Sequence, residues 1–314
     1  MERPDTEFAP GSLLDLLKNS TAHARRRGAI HSIETAQHFI EQDGVRFVIR
    51  TVSALTQKDQ ARRTQAGKPG GGARTDNPFL PYDPDVFVAN ISPTHVGLLN
   101  KFNVMDNHLL IVTRAFEHQE TLLSRNDFGA LWSCMAEFDG LGFYNGGAAA
   151  GASQPHKHLQ VVPLPLANEG PAIPMQPFLE TSGATDRVHT LPGLSFAHAF
   201  TCLDEAFGAR PSVAETLHRR YLDMLDHIAL TAGHKHRPAP HNLLATRNWM
   251  LMVPRSQEFF GSVSINALGF AGSLFVRDAG QIDIIRRHGP MTVLRAVGYA
   301  AASPFLAEDR SRRD

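Results

Sequence analysis

The sequence predicts an α+β fold, an antiparallel sheet with helices packed on it, and three observations carry that expectation. Short apolar runs at 86–91, 96–99 and 108–113 have the length and the bounds of strands. Apolar stripes within 12–27, 124–140 and 216–230 recur at helical spacing. Hydrophobic residues make up 42% of the 314 residues against 20% charged, enough to bury a large core. The length suits one large domain or two coupled subdomains of about 150 residues each.

Taken in order, Leu13, Leu14, Leu16 and Leu17 follow Ser12, a cap, and the helix they predict ends in the solvated run Arg25-Arg26-Arg27. From Gly44, Val45-Arg46-Phe47-Val48-Ile49-Arg50 has strand character. Composition then shifts: 57–77 is rich in glycine and basic residues. It reads as a mobile loop able to close over an anionic ligand, with a disordered insertion as the equal alternative. Asn77-Pro78-Phe79-Leu80-Pro81-Tyr82 is a rigid lead-in to the strands that follow. Residues 124–140 open at Ser124 and place Phe128, Leu131, Trp132 and Met135 on a core stripe, with Cys134 buried beside them. A Pro-, Gly- and Thr-rich linker, roughly 163–193, separates the halves. Beyond it, Leu217, Tyr221, Met224, Leu225 and Ile228 mark a helix over 216–230, and 249–253 a strand. Segments 109–114 and 250–255 echo each other faintly, which hints at a duplicated α+β unit.

Composition also excludes. The 31 Lys and Arg balance 31 Asp and Glu, which argues against a general nucleic-acid binder. Cys134 and Cys202 lie far apart in sequence, so neither a disulfide framework nor a four-cysteine zinc site is expected. Nothing approaches the ~18 apolar residues of a membrane span, and no leader is apparent. A cytoplasmic protein without membrane partners is the expectation.

The chemistry concentrates in 145–162. Gly146, Gly147 and Gly151 lie among alanines, where backbone N–H groups can cradle phosphate oxygens, and Ser153 and Gln154 add side-chain donors. Behind them, His156-Lys157-His158-Leu159-Gln160-Val161-Val162 reads as a strand that turns His156, His158 and Gln160 to one face. Three polar side chains on one face are costly to bury without partners, so a ligand site is favoured over a core strand. A neutral imidazole can attack phosphorus, and the Gln160 amide can donate to the charge that develops. Zinc chelation by alternate histidines, and a hydrogen-bonded structural pair, are the alternatives.

The segment Gly151-Ala152-Ser153-Gln154-Pro155-His156-Lys157-His158-Leu159-Gln160 resembles the active-site segment of the diadenosine tetraphosphate phosphorylases, or ATP adenylyltransferases. These are a histidine-triad branch related to the galactose-1-phosphate uridylyltransferases. Further likeness, in the same order, runs through 99–102, 107–113, 195–198, 242–246, 249–256 and 264–272, so that coverage extends from about 45 to 277. The resemblance implies a histidine-triad-type α+β fold with two related halves in a single catalytic domain over 1–314. Residues 1–165 would carry the histidine motif and 190–314 would complete the substrate site.

It further implies that His158 takes the adenylyl group, that Gln160 contacts phosphate and that His156 orients the site. Substrate contacts are implied for Lys58, Asn100, Lys101, Asn145, Gly151, Ala152, Ser153, Gln154, Asn266, Ala267, Leu268, Ser273 and Arg277. Two positions depart from the pattern, since some relatives have Met in place of Ser273 and Lys in place of Arg277. Read locally, Lys58 and Lys101 are also ordinary surface lysines, Asn145 a turn residue and Asn266 a cap. The histidine-rich 233–242 reads as a loop without a role. The implied reaction is phosphorolysis of the dinucleotide to ATP and ADP, with phosphate as acceptor. Mg²⁺ or another divalent cation would be carried by the substrate phosphates, with no zinc expected. A dinucleoside polyphosphate hydrolase, a hexose-1-phosphate nucleotidyltransferase and a non-catalytic nucleotide-binding protein are the alternatives.

Overall fold

The computed structural model describes residues 8–30, 36–52, 77–102, 104–179, 187–203, 213–230 and 237–301. Helix α1 (Leu13–Arg27) closes at Gly28 in the left-handed conformation. Ser12 holds the N-cap position, but its hydroxyl donates back to the Ala9 carbonyl, and Glu137 accepts the Leu13 N–H at 3.2 Å instead. The arginines at its end are paired on the surface, Arg25 with Asp106 and Arg27 with Asp85. Strands β1 (Ala36–Gln42) and β2 (Val45–Thr51) form a hairpin across Asp43 and Gly44, both at positive φ.

The chain continues through β3 (Phe87–Ser92), β4 (His95–Leu99) and β5 (Leu109–Thr113) to helix α2 (Arg125–Met135). Next come β6 (Gly140–Gly146), β7 (His158–Pro163), a short α3 (Gln176–Leu179), β8 (Ala199–Cys202) and α4 (Val213–His227). Then follow β9 (His241–Ala245), β10 (Trp249–Pro254), β11 (Phe259–Phe260), β12 (Val263–Ser264), α5 (Ala267–Phe270), β13 (Ser273–Val276), α6 (Ala279–His288) and α7 (Pro290–Val297).

Eight strands form one sheet in the order β3-β4-β5-β7-β6-β9-β10-β8, antiparallel at every pairing. A smaller sheet runs β1-β2-β13, with β13 parallel to β2. Period-2 alternation divides the large sheet's side chains between two cores. Leu109, Ile111, Leu159, Val161, Leu243, Met250 and Met252 pack under α1, α2 and α4. On the other face, Leu141, Phe143, Leu244, Leu251 and Val253 meet the small sheet and α5 to α7. Farther along that face, Leu110 and Val112 pack with Phe79, Val96 and Leu98. Among the described residues no helix is long and apolar enough to cross a membrane.

The α+β class and the antiparallel sheet are as expected, and three local readings are corrected. The 124–140 helix ends at Met135, because the chain must turn to enter β6 at Gly140. The supposed linker contributes to the core: Leu166, Ile173, Met175, Leu179 and Leu191 are buried with the second cluster. Of the histidine-rich stretch 233–242, His241 and Asn242 open the buried strand β9. The 57–77 loop, Asn77 apart, lies outside the described residues, and Lys58 with it. The echo between 109–114 and 250–255 extends into register. β5 sets Val112 opposite His158 and Thr113 opposite His95. β10 sets Pro254 opposite His241 and Met252 opposite Ala199, the residue after His198.

Candidate active site

Alternation along β7 sends Leu159 and Val161 into the helix-covered core and turns His158 and Gln160 to the other face, where both are buried. Their neighbours on that face are apolar. Leu110 and Val112 of β5 lie opposite Gln160 and His158 on one side, and Phe143 of β6 lies opposite Gln160 on the other. The polar pair thus forms a strip between two apolar patches, and each polar atom in it needs a partner.

The two histidines solve that demand differently. His156 precedes the strand, held in a single bridge to His118. Its Nδ1 accepts from the Asn77 amide at 2.9 Å, an orientation fixed because Asn77 Oδ1 takes the Phe79 N–H. Its Nε2 faces the Thr113 carbonyl at 2.9 Å, and a carbonyl can only accept, so Nε2 carries the proton. Both ring nitrogens are committed internally, and burial pushes the pKa of His156 down. His158 has the opposite tautomer. Its Nδ1–H donates to the His156 carbonyl at 2.8 Å, which leaves the lone pair on Nε2. Phe79 covers both rings, with centroids 5.1 Å from His158 and 5.8 Å from His156. This arrangement orients the His158 ring with its lone pair on Nε2 and commits both nitrogens of His156, which leaves His156 none for bidentate metal chelation.

Gln160 is oriented in the same manner. His108 Nε2–H donates to Gln160 Oε1 at 2.9 Å, and Asn100 Nδ2 donates to His108 Nδ1 at 3.3 Å. With its oxygen held, Gln160 presents its N–H groups as donors. The Asn100 side chain therefore supports Gln160 through His108, with its own Oδ1 on the Phe102 N–H.

After β6 the chain makes a 3-10 turn, Ala148–Ala150, and bends at Gly151 with φ 85°. A Cβ there would meet Asn266 Cβ and the Ile265 carbonyl, both at 3.0 Å, so glycine permits the turn to press against the start of α5. Ala152, Ser153 and Gln154 follow, half-buried. Asn145 joins the two stretches. Its Oδ1 accepts from the Ala267 N–H at 3.0 Å and from Asn242 Nδ2 at 2.8 Å. Asn266 caps α5 by accepting the Leu268 N–H at 3.0 Å. Beneath the turn lies Arg255, fully buried, donating to Asn242 Oδ1 and to the carbonyls of Ala150, Ile265, Gln257 and Val297. Burial pushes its pKa down to about 9, against the charge of Glu258, so it remains a cation at neutral pH.

The structure thus joins Asn100, Asn145, His156, His158, Gln160 and the 151–154 and 266–268 stretches around one strip. Lys101 is paired with Asp83 at 2.9 Å. Ser273 and Arg277 belong to the small sheet's β13 and the turn after it. Ser273 is enclosed, with no hydrogen bond to its Oγ among the described residues, and Arg277 is half-buried. Asn77, His108, Thr113, Asn242 and Arg255 are builders that sequence reading did not single out. Among the described residues no cluster of three or more His, Cys, Asp or Glu is placed to hold a metal ion.

Comparison with known proteins agrees with this fold. Residues 3–181 match the family model described as the Ap4A phosphorylase N-terminal domain, and 192–300 that of the ATP adenylyltransferase C-terminal domain. The chain is similar to diadenosine 5',5'''-P1,P4-tetraphosphate phosphorylase 2 of Saccharomyces cerevisiae, 27% identical over 243 residues, covering 67% of this chain and 72% of that protein. It is similar to Protein APA1 of the same yeast at 25% over 298 residues, 86% and 88% of the two chains. In fold it matches the crystal structure of yeast Ap4A phosphorylase Apa2 in complex with Ap4A, with TM-score 0.75, 21% identity and coverage of 95% and 99%. The form in complex with AMP gives 0.73, 22%, 93% and 99%. With residues 3–181 under one of these models and 192–300 under the other, the chain belongs to the Ap4A phosphorylase, or ATP adenylyltransferase, family.

Proposed function

We propose that this chain cleaves diadenosine tetraphosphate by phosphorolysis, through an adenylyl group carried on His158. The observation that carries the reading is the bond from His158 Nδ1–H to the His156 carbonyl, which holds the lone pair on Nε2. Nε2 attacks an α-phosphorus, the bond from that phosphorus to the bridging oxygen breaks, and ATP leaves. Gln160 donates to the charge that grows on the phosphoryl oxygens, its amide held by His108. An oxygen of inorganic phosphate then attacks the same phosphorus, the P–N bond breaks, and ADP leaves. The partners are thus the dinucleotide, ATP, ADP and phosphate, with neither nucleic acid nor membrane.

The turn at 151–154 and the cap at Asn266 supply backbone and side-chain donors for the polyphosphate, and Arg255 adds a fixed positive charge beneath them. Lys101 can exchange Asp83 for phosphate, and Lys58 is assigned the same task. Ser273 and Arg277 are assigned to the distal part of the substrate. A divalent cation arrives with the polyphosphate and offsets its charge. A cytoplasmic setting fits Cys134, a thiol buried in α2 whose pKa burial raises, and the unpaired Cys202.

Incubation with diadenosine tetraphosphate, with and without phosphate, tests the reading. ADP should form with saturable dependence on phosphate, and intact-mass analysis should find AMP on His158 and none in the His158→Ala variant. Release of AMP and ATP at the same rate without phosphate would leave a hydrolase instead.

A further inference from the structure

We propose that Gln119 is a positioning residue for the nucleophile, a carboxamide inserted into the sheet between β6 and β7 that sets the place of the His158 backbone. The inference rests on the adenylyl-transfer reading above. β6 and β7 pair from Gly140↔Pro163 to Phe143↔Gln160, and the same register carried forward would set Asn145 opposite His158. That pair does not form. The His158 N–H donates to Gln119 Oε1 at 2.8 Å, and Gln119 Nε2 donates to the Asn145 carbonyl at 2.9 Å. The second Nε2 proton reaches the His158 carbonyl at 3.2 Å. One side-chain amide therefore stands where the backbone pairing of His158 with Asn145 would run, accepting from His158 and donating to the carbonyls of both strands.

The rest of Gln119 is equally committed. Its N–H donates to the Pro155 carbonyl at 2.7 Å, its carbonyl accepts from the Tyr144 hydroxyl, and the residue is 2% exposed. Around it, Lys157 N–H donates to the Glu117 carbonyl at 2.8 Å and His118 bridges His156. The 117–119 segment thus pairs with 155–157 just ahead of β7. Here the sheet divides: β6 runs off into the 146–151 turn, and β7 starts at the nucleophile. The amide holds both branches. On one side it bonds both backbone groups of His158, whose ring is tethered two residues back. On the other it fixes Asn145, whose side chain holds the start of α5. Displacement of either branch changes the distance from Nε2 to a phosphate bound in the turn, and misplacement on the order of 1 Å costs about a hundredfold in rate.

The test compares Gln119→Leu and Gln119→Glu with the parent protein, measuring formation of the adenylyl-enzyme and the ¹⁵N signals of the His158 ring without substrate. Leucine keeps most of the volume and removes all three hydrogen bonds. Glutamate keeps the acceptor for the His158 N–H but turns an oxygen toward two carbonyls. The expected result is a KM within about threefold and a kcat lowered about ten- to hundredfold, with the Nδ1–H signature of His158 weakened in both variants. Should the leucine variant fail to fold, the glutamate variant carries the same readouts. Parental kcat in the variants would overturn the proposal, as would kcat loss with the His158 ring signals unchanged. Failure of the parent to form any adenylyl-enzyme would instead overturn the reading on which it rests.

Discussion

Among the described residues, three buried histidines and the half-buried His189 use Nδ1 alike. His158, His198 and His241 each donate Nδ1–H to the carbonyl two residues back, at 2.8, 2.8 and 3.0 Å, and they differ at the other nitrogen. Nε2 of His198 accepts the Leu191 N–H at 2.7 Å, and that of His241 meets the Tyr221 hydroxyl at 3.3 Å. Those two rings are structural, and burial pushes both pKa values from the ordinary 6.5 down to about 4. The unfolded chain then binds protons more readily than the folded one below pH 6.5, so the stability these rings contribute is present above 6.5 and lost as pH falls toward 4. Between pH 7 and 5 the loss should be about 2 kcal/mol per ring, read as a falling urea midpoint that His198→Asn makes less steep. On the proposed function, Gln160→Ala should lower kcat about 10²-fold, and His108→Ala should lower it less with KM little changed, because His108 is bonded to the Gln160 amide oxygen. Equal KM and kcat losses for His108→Ala, measured in steady state, would show that it contacts substrate. The His156/His158/Gln160 face was legible in sequence because period 2 encodes it within five residues. Asn77, His108 and Gln119 were not, because each reaches the strip from a remote segment and carries no local pattern.

At the scale of elements, α2 shows how a cap can serve two purposes. Asp127 completes the capping box with Ser124, accepts from His95 Nε2 at 2.9 Å, and lies 3.4 Å from Nζ of the buried Lys157. Burial by itself would raise its carboxyl, but the His95 hydrogen bond, the Lys157 charge and the Ser124 N–H together hold it below the usual range. Ser124→Ala should cost about 1 kcal/mol, as a lost cap does. Asp127→Ala should cost about 3 kcal/mol or more, since it also strips a buried ammonium of a partner. Denaturant unfolding ranks the two, and equal losses would reduce Asp127 to a cap. Strands written as apolar runs, such as β5 and β10, were readable in advance. β6 was hidden because glycines at 140, 142 and 146 argue against a strand. The structure gives the reason at Gly142: a Cβ there would meet Met135 Sδ at 2.8 Å and Leu131 at 2.9 Å, so its absence lets α2 approach the sheet. β1 mixes Phe39 and Ile40 with polar residues and is only partly buried, so nothing marked it as a strand in advance. In the 163–193 stretch Pro and Gly outweighed Leu166, Ile173 and Met175, whose burial had no regular spacing to announce it.

At the scale of the whole molecule, the segments matched by the two family models meet within one sheet. β6 pairs with β9 from Gly142↔Ala245 to Gly146↔His241, and Asn145, Asn242 and Arg255 add side-chain bonds across the same line. The two tryptophans fall one on each side, Trp132 in α2 and Trp249 in β10. Single-tryptophan variants, Trp132→Phe and Trp249→Phe, should therefore report one shared denaturant midpoint. Midpoints that differ beyond error would show two separately melting bodies. The resemblance in sequence anticipated two related stretches but not the line on which they join, because a strand pairing between residues about 100 positions apart has no signature in either strand alone. β6 gives one edge to the strand of His158 and the other to β9, so the two stretches are poor units for inheritance by exchange. A recombinant that joined 3–181 to the C-terminal part of a distant relative would inherit a register to match, an asparagine to receive and an arginine to place under the turn. A partner that met only the hydrophobic requirements would fold and still be silent, and selection on such hybrids would act through their chemistry before it acted through their stability.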